Sequence, residues 1–379
     1  MKFSAKKEAL ADKLSLCSSI AEKRQTIPIL SNVLLKANNG NLTIVATDLE
    51  RQLSLIVSDC SISDDGETTV SARKLFELIR SVPDDTELNF EVIENQLEIS
   101  ALSFQADLAV LPVQDFPFVD LEDHNFNIAL DGSKFGKVLE STSFAMASAD
   151  VRYYLNGLLF ETAQKKINMV ATDGHRLAWG SYSHSEDLED KKLIIPRSTA
   201  LELQRILNLF PEEISFSSNN SQLKIQSDNF TFISKLIEGA YPDYKKVFPS
   251  GEEQSLATSK SPILTALSRS AVLSNEKFRG VKFELSKDKL KILANNPNKE
   301  SAEEELDVDY SGQDLEIGFN INYVQESLNY LPGDDIEFVF FGSENSCLVK
   351  NSSSDDLVHV IMPVSYTHLR AHETKANLV

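Results

Sequence analysis

A four-residue word, Val45-Ala46-Thr47-Asp48, returns as Val170-Ala171-Thr172-Asp173, 125 positions later. A looser version, Leu293-Ala294-Asn295-Asn296, follows after another 123. Other landmarks keep the same register. Asn32-Val33-Leu34-Leu35 aligns with Asn156-Gly157-Leu158-Leu159 and more loosely with Arg279-Gly280-Val281-Lys282, and Phe116-Pro117 with Tyr241-Pro242. Pro83, Pro211 and Pro332 each stop a helical pattern. A period near 124 is domain-sized, far beyond the ~20–45 residues of a solenoid repeat. The chain therefore reads as three tandem copies of one domain, at 1–125, 126–250 and 251–364, with 365–379 left over.

Each copy follows one pattern. An amphipathic helix opens it, with apolar positions at Leu10, Leu14 and Cys17, then Phe135, Val138 and Leu139, then Ile263, Leu264 and Leu267. Alternating runs such as Leu53-Ser54-Leu55-Ile56-Val57 and Phe283-Glu284-Leu285 read as strands. A second helix comes next, at 72–80, 198–209 and 321–330, and further strands finish the unit, among them 88–92, 96–100 and 103–110. Two helices with many short strands predict an α+β domain with mainly antiparallel sheet.

Several function classes lose their usual signatures. Cys17, Cys60 and Cys347 are odd in number and widely spaced, which argues against a disulfide framework and suits a reducing cytoplasm. No C-x-x-C, G-x-x-x-x-G-K-[ST], G-x-G-x-x-G or H-E-x-x-H occurs, so no metal, nucleotide or other cofactor is expected. No run approaches the ~18 apolar residues of a membrane helix, and the N-terminus lacks a secretory pattern. His368, His372 and Glu373 lie in the unrepeated tail, which reads as appended sequence rather than a metal site.

Charge is the feature most open to misreading. With 37 Lys+Arg against 57 Asp+Glu the chain carries −20, which argues against a protein that coats DNA. Sorted by element the picture changes. Segments 4–24, 71–81, 133–148, 197–209, 258–274 and 320–331 together carry +7, leaving −27 elsewhere. Solvated helix faces explain some of this, but Glu is as good a helix former as Lys. Six helices that are cationic as a set, all facing one anionic object, would contact phosphates without reading bases.

The segments Asp150-Val151-Arg152-Tyr153-Tyr154-Leu155-Asn156-Gly157, Val170-Ala171-Thr172-Asp173-Gly174-His175-Arg176-Leu177, Leu273-Ser274-Asn275-Glu276-Lys277-Phe278-Arg279-Gly280 and Tyr310-Ser311-Gly312 resemble the bacterial DNA polymerase III β subunit family, the sliding clamps. The resemblance runs from Met1 to about Pro363. It implies a head-to-tail homodimer of three-domain protomers closed into a ring around double-stranded DNA, helices lining the hole. Its implied partners are the DNA polymerase III core, a clamp loader complex that supplies the missing ATPase, and other proteins bearing clamp-binding motifs. The implied role is non-enzymatic: processivity by topological tethering.

Site residues follow from the same resemblance. Tyr154, Leu155, Thr172, Gly174, His175, Arg176, Leu177, Pro242, Val247, Ser346, Val360, Met362 and Pro363 match a pocket for short partner peptides, the apolar ones receiving anchors while Arg176 and Ser346 orient a backbone. Arg24, Arg73, Tyr153 and Tyr154 match duplex-contacting positions. Ala149 stands where the family often has a longer polar residue, and Lys245-Lys246 replaces an Arg-rich pair, keeping charge but losing the bidentate fork. Edge run 103–110 with Leu108, the helix bearing Val272-Leu273, and Lys74 opposite Glu303 and Glu304 match the dimer interface. Read without the family, Asp173 and His175 suggest an acid–base pair, yet no nucleophile elbow accompanies them and Thr47-Asp48-Leu49-Glu50 lacks the histidine. A repeated turn explains them better than a catalytic centre, and each apolar residue taken alone is also consistent with core packing. The other rival is a DNA-independent scaffold.

Overall fold

A computed structural model describes residues 1–21, 27–120 and 123–364. Arg24, the 365–379 tail and its two histidines lie outside the described residues. The described residues include six helices, two per repeat: α1 (Lys7–Ile20), α2 (Ala72–Ser81), α3 (Gly132–Ser143), α4 (Arg197–Leu209), α5 (Lys260–Val272) and α6 (Ile321–Tyr330). All six expected helices are present, with boundaries shifted by a few residues. Each opening helix buries the same stripe, Leu10, Leu14 and Cys17 in α1, Phe135, Leu139 and Thr142 in α3, Ile263, Leu267 and Ser270 in α5. Side-chain caps fix two of the second helices: Ser71 Oγ accepts from Lys74 N–H at the start of α2, and Asn320 Oδ1 accepts from Asn322 N–H at 2.9 Å at the start of α6.

One expectation fails at the N-terminus. Residues 4–6, assigned to the first helix, belong to a strand, Lys2–Lys6, paired antiparallel with Glu87–Ile93 and with Cys60–Asp64. Phe3 and Ala5 are buried while Lys2 and Lys6 face out, a period of two that places this run in the sheet.

The residues gather into two compact units, Met1–Gly136 with Ser198–Glu238, and Lys137–Arg197 with Gly239–Val379. These units cut across the sequence repeats. The physical reason is strand pairing between neighbouring repeats. In the first unit, Phe230–Lys235 of the second repeat pairs antiparallel with Arg51–Val57 of the first, extending one sheet to 13 strands. In the second, Leu357–Ile361 of the third repeat pairs with the start of Arg176–Pro196 in a seven-stranded sheet. That unit also holds a four-stranded sheet with Ser301–Asp307 at one edge and Leu315–Asn320 at the other. Every ladder is antiparallel. Aromatic layers fill the cores, for example Phe283 against Phe319 and Phe338 with ring centroids at 5.4 and 6.2 Å.

Candidate functional site

The turn that closes the repeated word organises the site. Thr172 Oγ accepts from Gly174 N–H at 3.1 Å and donates to Arg176 O at 2.6 Å. Asp173 Oδ1 accepts from the His175 and Arg176 amides at 2.9 and 3.1 Å, and its Oδ2 accepts from Arg176 Nε at 3.2 Å. The first repeat builds the same turn, Thr47 to Leu49 N–H and Arg51 O, and Asp48 to the amides of Glu50 and Arg51 and to Arg51 Nε. Gly174 and Leu49 both lie in the left-handed region, at φ +89° and +74°. This is a self-capped turn of the Asp-x-x-Arg type. Asp173 spends its carboxylate on it, so an acid–base pair with His175 is not what the geometry builds.

Arg176 is nearly buried and its guanidinium is fully engaged. Besides Asp173, it pairs with Glu326 of α6 and donates from Nη2 to Phe144 O at the end of α3, 3.1 Å away. It lies between two rings, Phe144 at 5.1 Å and Tyr323 at 4.8 Å. Phe144 in turn stacks on Tyr330 at 4.8 Å and meets the His359 ring at 4.9 Å. His359 is wholly buried, with Nδ1 at 3.1 Å from Ser327 O and Nε2 at 2.9 Å from Ser141 O. Burial, reinforced by the nearby Arg176 charge and opposed by those carbonyls, holds its pKa down to about 4. Arg176 thus acts as a clasp between α3 and α6, a different task from orienting a bound backbone.

Around this clasp the structure collects part of the expected pocket. Leu177 and Val360 belong to a buried cluster with Leu159, Val170 and Tyr244, against which Val247, Tyr241, Trp179, Phe248 and Leu348 pack. Met362 N–H donates to His175 O at 3.0 Å. His175 is exposed and stacks on Tyr323 at 6.2 Å. Leu155, Leu177 and Val360 are core, so they support the site from below. Tyr154, Gly174, Val247, Ser346, Met362 and Pro363 are half-buried, and Pro242 is exposed. A Cβ on Gly174 would come within 3.1 Å of the Arg152 guanidinium, which holds Asp150 in a two-pronged pair. Those hydrogen bonds, first from the Arg152 side chain and then from its amide, lower the Asp150 carboxyl to about 2.

The remaining expected residues are scattered. Tyr153 is 57% exposed and meets the Tyr154 ring edge-on at 5.8 Å. Ala149 sits at φ +59°. Lys246 pairs with Asp243 at 3.4 Å, and Lys245 lies over the Tyr244 ring at 6.0 Å. On α2, Arg73 and Lys74 are exposed, with Arg73 paired to Glu77 at 2.7 Å. Leu108 is buried, Leu273 half-buried and Val272 79% exposed. Glu303 pairs with Lys291 at 3.1 Å, and Glu304 takes both prongs of Arg269 at 2.6 Å, so each acid already has a partner within its own chain. Among the described residues no group of three metal-ligating side chains comes together, and no helix is long and apolar enough to cross a membrane.

Three family models match in series: the DNA polymerase III beta subunit N-terminal domain over 1–120, the central domain over 129–243 and the C-terminal domain over 245–365. The chain belongs to the DNA polymerase III beta subunit family. It is 40% identical over 365 residues to the beta sliding clamp of Pseudomonas putida KT2440, covering 96% of this chain and all of that relative. It is 37% identical over 364 residues to that of Escherichia coli K12, with the same coverage. A crystal structure of a Pseudomonas aeruginosa sliding clamp bound to griselimycin superposes with a TM-score of 0.90 at 39% identity, covering 96% of this chain and 99% of the other. Caulobacter crescentus pol III beta gives 0.85 at 31%, covering 96% and 100%. As a member of this family the chain is a non-catalytic clamp that confers processivity on a DNA polymerase, and its three tandem domains are the family's.

The sequence reading missed Asp48, Arg51, Phe144, Tyr323, Glu326 and His359. For the first two the signal was present, since Asp-x-x-Arg stands at the same offset in both repeats. The others are joined only by folding.

Proposed function

We propose that two copies of this chain close head to tail into a ring around duplex DNA, opened by a separate loader. The observation that carries this reading is a junction used twice within the chain. Strand 230–235 of one repeat pairs with 51–57 of the one before it, and 357–361 pairs with 176–180. The counterparts at the remaining junction are Phe104–Leu111 of the first repeat and Ser301–Asp307 of the third. Ser301–Asp307 ends its sheet, and Phe104–Leu111 pairs along its length only with Gln96–Ala101, meeting the next strand just at Val110 and Leu111. Two such edges on one chain join between copies, and a closed ring leaves neither exposed.

Within that ring the six helices, positive as a set although α6 carries only Glu326, line the hole. Arg24 and Arg73 meet phosphates of the duplex, and Tyr153 and Tyr154 stack on a displaced base or a sugar. The surface around Tyr154, Gly174, His175, Pro242, Val247, Ser346, Met362 and Pro363, floored by Leu155, Thr172, Leu177 and Val360, takes short apolar peptide motifs of the polymerase, the loader and other clamp-binding proteins. Domain boundaries near 125 and 250 and a cytoplasmic location complete the reading.

The test is retention on closed circular DNA after loading, followed by a single cut. A ring leaves by the new ends on linearisation. Persistence on the linear form, or loss before cutting, overturns it.

A further inference from the structure

The segment that leads from one repeat into the next is fastened differently at its two occurrences, and the difference falls beside the peptide surface. Counted from Phe116-Pro117 and Tyr241-Pro242, Val119 of the first repeat corresponds to Tyr244 of the second. By the same offset of 125, Gln52 corresponds to Leu177, Lys36 to Glu161 and Glu67 to Lys192. The strand ladders keep that register, with Lys36 opposite Glu67 and Glu161 opposite Lys192. In the first repeat the segment is held by its backbone, Gln52 Oε1 accepting from Val119 N–H at 3.0 Å. Lys36 pairs with Glu67 at 3.3 Å and lies over the Phe118 ring at 5.1 Å.

In the second repeat Leu177 stands where Gln52 did, and its side chain has no atom to accept that bond. The cross-strand charge pair is kept with its signs exchanged. Glu161 shares a strand face with Leu159, two residues before it, and is 5% exposed. Its Oε1 pairs with Lys192 Nζ at 2.9 Å, and its Oε2 accepts from the Tyr244 hydroxyl at 2.8 Å. Burial works against the Glu161 charge, but the bonds from Lys192 and Tyr244 and the charges of Lys192 and Lys245 hold its carboxyl below the ordinary value. The Tyr244 ring packs with Leu159, Leu177 and Val360, so one side chain joins the apolar floor to a buried carboxylate. Tyr244 also opens a single turn of 3₁₀ helix, Tyr244–Val247, whose last residue packs against the same cluster.

We propose that Glu161 is a positioning residue of the peptide surface: through the Tyr244 hydroxyl it fixes the turn that presents Val247 and, just before it, Pro242. This rests on the peptide-binding reading above. A one-turn helix has no stability of its own, and a charge-assisted bond kept from water is among the strongest that can hold it. A wall held in place beforehand spares the peptide the cost of ordering it. Moving the fastening from the Gln52 position to the neighbouring face leaves the floor beneath the peptide wholly apolar.

Fluorescence anisotropy of a labelled hexapeptide of leucine, phenylalanine and polar residues, titrated with the full chain, tests this. The variants are Tyr244→Phe, Glu161→Leu, their double and Glu161→Gln. Tyr244→Phe removes only the hydroxyl and keeps the ring in the cluster, while Glu161→Leu returns Lys192, whose side chain is 70% exposed, to water. Each should weaken the peptide about fivefold, and the double should add little beyond either, since both act through one bond. Glu161→Gln keeps an acceptor for the hydroxyl and should bind within about twofold of wild type. Trp179, the chain's one tryptophan, packs against the cluster and meets the Phe248 ring edge-on at 6.4 Å. Its emission maximum should shift in Tyr244→Phe and Glu161→Leu and stay in place in Glu161→Gln. Wild-type affinity in both Tyr244→Phe and Glu161→Leu, or an equal loss in Glu161→Gln, would overturn the role of Glu161. A wild-type chain that binds no such peptide would instead overturn the peptide-binding reading, and the Trp179 emission then decides alone whether Glu161 holds the turn.

Discussion

Arg176 meets Asp173 at 3.2 Å across a turn of four residues, and Arg51 meets Asp48 at 3.0 Å in the same way one repeat earlier. The pair is local in sequence, but its consequence is long-range. Once the aspartate fixes the guanidinium, a remaining donor reaches the next repeat, Ser198 O from Arg51 and Glu326 from Arg176.

Replacing Arg176 with Leu should therefore destabilise the fold by about 2–4 kcal/mol, because it strands Asp173 and Glu326 and removes a cation from between two rings. The midpoint of urea denaturation measures it. A loss below about 0.5 kcal/mol would place Arg176 among surface charges.

His175→Ala should behave differently. The side chain is exposed and leans on Tyr323, so stability should change by less than about 0.5 kcal/mol. Affinity for a clamp-binding peptide, followed by fluorescence anisotropy, should fall several-fold. Equal affinity would remove His175 from the peptide surface.

Acid should weaken the second unit through His359. Burial disfavours its charged form and outweighs the two carbonyl oxygens that a protonated ring would satisfy. With a folded pKa of about 4 against about 6.5 unfolded, its contribution is whole above pH 6.5 and is lost as pH falls through 4. The loss approaches about 3 kcal/mol, since each pKa unit is worth about 1.4 kcal/mol. Melting curves between pH 7 and 4 should show this slope in wild type and a shallower one in His359→Gln. Parallel slopes would refute it.

Glu202 titrates with the opposite sense. Burial raises its pKa despite the Ser19 hydroxyl and the neighbouring Arg205 and Arg51. A raised carboxyl supports the fold below its unfolded pKa and loses that support as pH rises through the folded value. Glu202→Gln keeps an acceptor for Ser19, so it should be neutral near pH 4 and stabilising at pH 7. A stability loss at pH 7 would mean that the charge is needed.

Val272→Asp should give folded monomers, because the side chain is exposed within one chain and its change disturbs no core packing. Gel filtration together with calorimetry separates that outcome from general unfolding.

Much of this molecule was legible before folding. The threefold period, the helix pairs and the cationic helices came from local pattern, because amphipathic spacing and helix-stopping prolines act over a few residues. The strand Lys2–Lys6 did not, since an alternation of two apolar residues among lysines is too short to outweigh a following helix; pairing on both sides decided it. The Thr-Asp-x-x-Arg turn was half legible: the word was seen, and its arginine was read as a binding residue because only packing reveals what occupies a guanidinium.

The sequence by itself determined that one domain is used three times, since periodicity survives in the order of residues. Only the tertiary structure decided where the chain divides into compact units and which charges are spent internally. Strand pairing and the Arg176 clasp join residues 150 or more positions apart, and no local pattern encodes which carboxylate a cation will find.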